Sequence, residues 1–331
     1  MVNRKSVEDF ENKNAKFINL YNDGVFYREI EKELNISKST VKERVRKGKA
    51  LGILKDRETP QTVKKLPKEA LKDKFNDKLR TTSLNRQHLE VKKGKNYSEI
   101  VFIGDVHYGA KYCNIEKFEK MLKYCLDNEI YIFCMGDMIE TSSRHSVGAG
   151  VYEQISPQKQ IEDIISYLKP LANKGLILGY LSGNHELRAM KELGIDISKI
   201  VCKELKVPYL EYAGWSLFYV GNQSYSIYSI HGSSSATLKH TKFKSILDIS
   251  KHFEADLVTM GHVHDIIIDS AEYQRVNKKR KIVEIRKSYI VVTGHYYNYG
   301  GYAKEKGYSP TKIGSPKVKL FSDKFDIHIS V

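Results

Sequence analysis

The chain has 331 residues, a formal net charge of +15 and four cysteines. This length leaves room for one large and one small domain. The cysteines are scattered and form no C-x-x-C pair, which argues against a thiolate metal site or a disulfide framework, and no apolar run approaches the about 18 residues that span a bilayer.

The positive charge is concentrated in the first 98 residues. They hold 25 Lys and Arg against 14 Asp and Glu, a net charge of +11, which leaves +4 for residues 99–331. A basic surface of this size attracts polyanions, with nucleic acid first and an anionic membrane second. The alternative to a polyanionic partner is that this charge only keeps the protein soluble.

Residues 1–54 are predicted to form a small all-α domain. A helix over residues 7–22 precedes two short helices, and Ser37 can cap the second of these. Val41 and Val45 lie four residues apart and would form its buried side. The pattern resembles a helix-turn-helix.

The second short helix would expose polar and basic side chains suited to phosphates and base edges in a major groove. The candidate DNA-binding residues are Lys38, Ser39, Lys42 and Arg46. We therefore expect DNA as a partner and no membrane partner. Because many helix-turn-helix proteins read paired half-sites, a homodimer is also considered. The alternative is a three-helix module that docks on protein.

Residues 55–97 are polar and basic, with sparse apolar positions. Leu71, Phe75 and Leu79 follow a helical spacing, so the stretch is predicted to be a linker that contains one helix. The third predicted domain covers residues 98–331.

In residues 98–331, five apolar runs end in polar donor side chains beside glycine. The first, over residues 100–103, leads into Asp105 and His107, whose side chains would point the same way in an extended backbone. The other four runs end in Gly136-Asp137, Gly183-Asn184-His185-Glu186, His231-Gly232 and Gly261-His262-Val263-His264. Carboxylate, carboxamide and imidazole donors without thiolate suit Mn²⁺, Fe or Zn²⁺. The pattern predicts a metal site assembled from loops.

These motifs, in this order, resemble the signature motifs of the calcineurin-like metallophosphoesterase superfamily over roughly residues 98–331. The resemblance implies an α/β fold, a two-sheet β-sandwich flanked by helices, with a dinuclear metal centre. One ion would be held by Asp105, His107, Asp137 and His264. The other would be held by Asp137, Asn184, His231 and His262, with Asp137 bridging.

The resemblance also implies a reaction. Two divalent ions, with Mn²⁺ preferred and Fe or Zn²⁺ possible, would acidify a bridging water to a hydroxide that attacks phosphorus in line. His185 resembles the catalytic histidine of the family and would protonate or stabilise the departing alkoxide. Such general acid help is typically worth about 10²–10⁴ in rate.

Candidate substrate contacts flank the predicted site. Arg144 and His145 lie in a polar loop over residues 140–157, at the mouth of the site. Arg188 follows His185 by three residues and could hold a phosphate bidentately, or pair with Glu192 one turn on.

The carboxyl-terminal part is predicted to complete the second sheet. Two short strands, residues 266–268 and 282–285, would bracket the basic turn 277–280. The tyrosine-rich stretch 294–302 could stack on bases, although packing against the second sheet is the commoner fate of such residues.

The motifs depart from the Ser/Thr protein phosphatase pattern. Those enzymes carry Asp-Arg-Gly after the second motif and an Arg just before Gly-Asn-His-Glu, whereas Met138-Ile139-Glu140-Thr141 and Leu181-Ser182 stand here. The basic amino-terminal module favours the nuclease branch, and the arrangement resembles phosphoesterases encoded by phages and prophages.

We therefore expect a metal-dependent phosphodiesterase that cleaves DNA and is soluble and cytoplasmic. A phosphoesterase acting on a small nucleotide or another phosphoester, with the helix-turn-helix used for docking, is the first alternative. A DNA-binding regulator that keeps the phosphoesterase fold as a scaffold is the second.

Overall fold

The computed structural model describes residues 4–23, 25, 27–54, 84–141, 155–234, 236–305 and 307–331. The chain divides into two compact units, Met1–Arg80 and Thr81–Val331. None of the described helices is long and apolar enough to cross a membrane.

In the described part of the amino-terminal unit, three helices surround one small core. The helices are α1 (Arg4–Asn22), α2 (Tyr27–Leu34) and α3 (Lys38–Ala50). The Ser37 hydroxyl accepts a hydrogen bond from the Thr40 N–H and caps α3, as the sequence predicted. The core consists of Phe17, Tyr21, Ile30, Val41, Val45 and Leu54. That α2 and α3 act as a helix-turn-helix stays a prediction.

The described residues of the second unit form two sheets with helices between their strands. Its strands are β1 (Leu84–Leu89), β2 (Tyr97–Ile103), β3 (Tyr131–Cys134), β4 (Ile177–Tyr180), β5 (Ala213–Val220), β6 (Gln223–Ile230), β7 (Leu257–Met260), β8 (Ile266–Asn277), β9 (Ile282–Thr293), β10 (Lys317–Phe321) and β11 (Ile327–Ser330). Its helices are α4 (Ile115–Asp127), α5 (Pro157–Asn173), α6 (Asn184–Leu193), α7 (Ile197–Leu205), α8 (Lys239–Ser250) and α9 (Gly301–Glu305).

Both sheets are mixed. One has the order β11-β10-β2-β3-β4, in which β2, β3 and β4 are parallel. The other has the order β1-β5-β6-β7-β9-β8, in which β6 and β7 are parallel and so are β7 and β9. Two mixed sheets flanked by helices confirm the predicted α/β sandwich.

The two faces of β2 show how the layers pack. Ile100 and Phe102 belong to the core between the sheets, whereas Val101 and Ile103 belong to the core beneath the helices. Because successive side chains of a strand point to opposite faces, a strand covered on both sides needs an unbroken apolar run. The parallel strands therefore bring their carboxyl ends, and the loops that follow, to one region of each sheet.

The predicted linker ends earlier than the sequence indicated. Leu84–Leu89 forms β1, which pairs in parallel with β5 along its whole length. Only Leu89 of this strand is buried, so hydrophobic periodicity was a weak signal. Backbone pairing holds the strand instead, helped by hydrogen bonds from the Asn85 and Gln87 side chains to the Leu178 carbonyl. The predicted linker helix at residues 71–79 lies outside the described residues.

The carboxyl-terminal hairpin is longer than predicted. The short strands at residues 266–268 and 282–285 are parts of β8 and β9, which pair along twelve residues each. The sequence underestimated both strands because much of β8 and β9 carries exposed charged and polar residues, which do not alternate as a half-buried strand does.

Candidate metal centre

Loops that follow five strands bring the predicted ligands together. β2 leads to Asp105 and His107, and β3 leads to Asp137. The remaining ligands follow β4, β6 and β7, and they are Asn184, His231, His262 and His264. Three overlapping triplets of side chains have ligand atoms within 4.8 Å of one another, and these triplets are Asp105-His107-His264, His107-Asp137-His185 and Asp137-His231-His262. Without His185 and together with Asn184, their members form the two groups of ligands described below.

The backbone at the ligands is not extended, contrary to the expectation for the first motif. Five ligands have left-handed φ angles of 49–69°, and they are Asp105, His107, Asp137, His262 and His264. Each such non-glycine conformation costs about 1–3 kcal/mol and persists only where the surroundings impose it. The side chains converge because sharp loops turn them inward.

Glu186 imposes part of this geometry. Its buried carboxylate accepts hydrogen bonds from the N–H groups of Asp137, Met138 and Gly183, at 3.1, 2.8 and 2.9 Å. Burial and the neighbouring Asp137 carboxylate raise the pKa of Glu186 to about 7. A Cβ at Gly183 would lie 2.0 Å from Asp137 Oδ1, so only glycine permits this approach.

The first group of ligands surrounds His107. Its Nε2 lies 3.0 Å from His264 Nε2 and 4.0 Å from Asp105 Oδ1, and His264 Nε2 lies 3.3 Å from the same oxygen. Asp105 Oδ1 is buried and makes no hydrogen bond with any described residue. Converging nitrogen and oxygen lone pairs fit a cation between them.

The second group surrounds the Asn184 amide. Its Oδ1 lies 2.8 Å from His262 Nδ1 and 3.0 Å from His231 Nε2. Asp137 Oδ2 lies 3.3 Å from His231 Nε2 and 3.9 Å from His107 Nε2. Asp137 therefore stands between the two groups, where a bridging ligand belongs.

Hydrogen bonds on the far side of four ligands orient them. Asp137 Oδ1 and Asp105 Oδ2 each accept a backbone N–H at 2.8 Å, from His185 and His262 respectively, which leaves the second oxygen facing the site. The Nδ1 atoms of His231 and His107 lie 2.8 Å from the Met135 carbonyl and 2.9 Å from Glu140 Oε2. Such partners fix the ring so that Nε2 faces a metal.

The electrostatic field of the site favours a cation. Although burial opposes its protonation, the hydrogen bond to Glu140 and the carboxylates around it raise the pKa of His107 to about 9. Burial likewise opposes ionisation of Asp137, yet the positive charge of His231 holds its pKa well below the usual range. A divalent ion would take the place of these protons. The donor types, the unpartnered Asp105 oxygen and this field all fit the implied pair of divalent ions.

His185 and Arg188 lie beside the ligands on α6. His185 Nδ1 donates to the Glu140 carbonyl at 2.6 Å, and its Nε2 lies 3.0 Å from Arg188 Nη2. Burial, with the charges of His107 and Arg188, lowers the pKa of His185 to about 4, so the ring is neutral and Nε2 accepts. Arg188 Nη1 is buried and has no hydrogen-bond partner among the described residues.

A cavity of about 440 Å³ opens onto these groups. His185, Arg188 and Lys242 contribute polar atoms to its lining, and Tyr297, Tyr299 and Tyr308 contribute aromatic rings. The predicted substrate contacts Arg144 and His145 lie outside the described residues. The predicted DNA-binding residues Lys38, Ser39, Lys42 and Arg46 are exposed on α3 in the amino-terminal unit.

The sequence analysis assigned no role beside the metal ligands to four residues that lie there. Glu140 and Glu186 support ligands. The His295 ring stacks on His264 with centroids 5.1 Å apart, and the Tyr297 ring is tilted to His264 with centroids 6.2 Å apart. Glu140 stands three residues after Asp137, and Glu186 stands two residues after Asn184. Their closeness in sequence to a predicted ligand was therefore the signal that could have indicated a role at the site. For His295, the position just past the end of β9 was the same signal that marked the predicted ligands.

One family model and several solved structures are similar to this chain. A family model described as calcineurin-like phosphoesterase matches residues 98–330, and no curated protein matches the chain. Among solved structures, Vacuolar Protein Sorting 29 from Cryptosporidium parvum is 14% identical with a TM-score of 0.35, covering 71% of this chain and 98% of that chain.

Two further structures show similar likeness. A conserved protein of Streptococcus pneumoniae, described as a predicted phosphoesterase, is 11% identical with a TM-score of 0.32 and covers 71% of this chain and 90% of that chain. Vacuolar Protein Sorting 29 from Entamoeba histolytica, complexed with Zn²⁺, is 10% identical with a TM-score of 0.32. The match covers 70% of this chain and 97% of that chain. The family match spans most of the chain, and the chain therefore belongs to the calcineurin-like phosphoesterase family, as a metal-dependent hydrolase of phosphoester bonds.

Proposed function

We propose that this phosphoesterase is a DNA phosphodiesterase, a nuclease of phage type, targeted to DNA by an amino-terminal helix-turn-helix. The observation that carries the proposal is the cavity beside the ligands, which combines an unpartnered guanidinium nitrogen with an aromatic wall. A guanidinium N–H suits a phosphate oxygen, and tyrosine rings suit the faces of nucleobases.

The metal ligands divide into two sets. Asp105, His107, Asp137 and His264 would hold one ion, and Asp137, Asn184, His231 and His262 the other. The donors are nitrogen and oxygen only, which suits Mn²⁺, Fe or Zn²⁺, and we propose Mn²⁺ with Fe or Zn²⁺ as alternatives. Two such ions supply an activated water and neutralise charge on the phosphoryl oxygens.

Two side chains of α6, His185 and Arg188, would carry out the remaining chemistry. Hydrolysis forms one bond from the water oxygen to phosphorus and breaks the bond from phosphorus to the departing oxygen. The neutral His185 ring would take up the proton that the water loses at Nε2, its accepting nitrogen, and pass it to the departing oxygen. The Glu140 carbonyl holds the other ring nitrogen, so the ring keeps its orientation. Arg188 Nη1 would bind a non-bridging phosphate oxygen.

A small nucleotide is the second candidate substrate. The cavity volume lies within the range of pockets that bind small molecules. In that case the amino-terminal unit would serve docking. The third reading, a DNA-binding regulator without activity, leaves the complete ligand set unused.

An assay with added Mn²⁺ tests the proposal. It compares single-stranded DNA, double-stranded DNA, bis-(p-nitrophenyl) phosphate and p-nitrophenyl phosphate. We expect cleavage of DNA and of the diester, and a loss of about 10²–10⁴ in rate for His185→Ala. The control is His328→Ala, whose side chain is exposed on β11. Rapid cleavage of the monoester with both DNA forms intact would contradict the nuclease and favour the small substrate.

DNA targeting is tested in the full chain by removing three cations of α3. Lys38→Gln, Lys42→Gln and Arg46→Gln together should weaken binding in a gel shift and lower the dependence of affinity on salt by about one unit of slope for each lost phosphate contact. The control replaces Lys117, Lys120 and Lys123 of α4, which are also exposed. Equal binding by both triple variants would refute targeting by α3.

A further inference from the structure

The β8–β9 hairpin extends well beyond the sheet that carries it. β9 pairs with β7 only over Tyr289–Val292, whereas β8 and β9 pair along all twelve residues. Residues 271–288, here called the ribbon, therefore continue as two strands alone, from the Ala271–Ser288 pair to the turn after the Asn277–Ile282 pair. Seven pairs at about 3.4 Å each make it roughly 24 Å long.

The ribbon holds the net positive charge of its domain. Residues 272–287 contain seven Lys and Arg against two Glu, a net charge of +5, whereas residues 99–331 as a whole carry +4. The rest of the domain is therefore slightly negative. The arginines of the ribbon pair with Glu254 and Glu284. Lys278, Lys279 and Lys281 are exposed at the tip and form no ion pair with any described residue.

One face of the ribbon carries an exposed apolar strip. Val276 and Val283 stand directly opposite each other, and Ile285 is the next residue on that face. Their exposed fractions are 62, 62 and 68%. Such side chains contribute nothing to the core, and a contiguous exposed apolar patch marks a surface that contacts a partner.

The ribbon is joined at both ends to the metal centre. His264 lies two residues before β8, and His295 lies two residues after β9. Twelve residues at about 3.4 Å place the tip roughly 40 Å along the hairpin from its base, which corresponds to about 12 base pairs of a duplex.

We propose that the ribbon inserts into a groove of duplex DNA, with the tip lysines on phosphates and the apolar strip against sugars and base edges. A two-stranded ribbon fits the major groove, and ribbons with apolar side chains also enter the minor groove. This inference rests on the proposed function, because it takes the substrate to be DNA. The charge favours DNA over an uncharged protein surface.

Fluorescence anisotropy tests the inference with the full chain in a His185→Ala background, so that binding is read without cleavage. For a duplex of about 30 base pairs, Lys278→Gln, Lys279→Gln and Lys281→Gln together should weaken binding at least about tenfold and lower the salt slope by about 2–3. A duplex of about 8 base pairs, too short to reach the tip, should bind both chains alike if held at the metal centre. The control triple variant of Lys117, Lys120 and Lys123 should bind like the parent.

A second variant tests the apolar strip. Val276→Thr with Val283→Thr keeps residues that favour strands and should weaken binding of the long duplex without changing the salt slope. Unchanged affinity in both ribbon variants, with native thermal unfolding, would overturn the inference.

Two outcomes distinguish this inference from the proposed function and from binding to a membrane. Ribbon-dependent binding by a chain that hydrolyses no DNA would contradict the proposed function and leave the inference standing. The second outcome concerns vesicles of phosphatidylserine and phosphatidylcholine. If the parent chain sediments with them and the ribbon variants do not, while the DNA binding of the variants is unchanged, the ribbon binds a membrane surface and the inference is overturned.

Discussion

Glu140 supports both the metal ligands and His185. Its carboxylate lies 2.9 Å from His107 Nδ1, and its backbone carbonyl accepts from His185 Nδ1. Glu140→Gln keeps the shape of the side chain but removes the negative charge that makes the His107 ring a stronger donor to a metal. Because loss of such a supporting partner typically lowers metal affinity about 10–100-fold, we expect a decrease of that size in a Mn²⁺ titration by calorimetry.

The matched control for Glu140→Gln is Glu116→Gln. Glu116 is also a carboxylate in an ion pair, with Lys120, but it is exposed on α4. This variant should bind Mn²⁺ like the wild type. Equal Mn²⁺ affinity in all three chains would mean that Glu140 does not support the ligand set.

At the scale of elements, a buried carboxylate of β2 pairs with two more exposed lysines, one before β2 and one on β10. Glu99 of β2 lies 2.8 Å from Lys95 Nζ and 3.2 Å from the Lys317 Nζ of β10. Burial opposes ionisation of Glu99, but the hydrogen bonds and charges of the two lysines lower its pKa below the ordinary value. The ionised form is therefore better stabilised in the folded chain than in the unfolded chain.

This depressed pKa gives a pH dependence with a defined sign. Its contribution to the free energy of unfolding is complete above the ordinary pKa of 4.5 and is lost as pH falls through the lower folded-state value. Glu99→Gln should lower the free energy of unfolding near pH 7 by about 1–3 kcal/mol, and the difference from wild type should shrink in acid. Urea unfolding at several pH values measures it. A difference that grows below pH 4.5 would contradict the assignment.

Some elements could be predicted from the sequence and others could not. Apolar runs that stop at glycine and a polar donor predicted β2, β3 and the ligand loops after them. β1 was not predicted, because its backbone pairing leaves little trace in side-chain periodicity. The left-handed backbone of Asp105 and His107 was not predicted either, because non-glycine residues rarely adopt it and the surrounding loops impose it.

The whole molecule combines two compact units, and the predicted metal ligands lie only in Thr81–Val331. A ligand that binds only the folded state raises its stability by an amount set by concentration and affinity, about 2.7 kcal/mol at 100 times the dissociation constant. Added Mn²⁺ should therefore raise the unfolding temperature of the second unit, and a chelator should reverse the rise. The first unit should unfold at the same temperature in both conditions.

Calorimetry with and without Mn²⁺ measures this difference, and His231→Ala provides the decisive comparison. His231 is fully buried and lies against Asp137 and Asn184, so its removal takes away one ligand of the second group and disturbs the bridging carboxylate. The variant should be less stable than wild type without metal and should gain less from Mn²⁺. If Mn²⁺ stabilised wild type and variant equally, the ion would bind elsewhere, and the two-ion site would lose its physical basis.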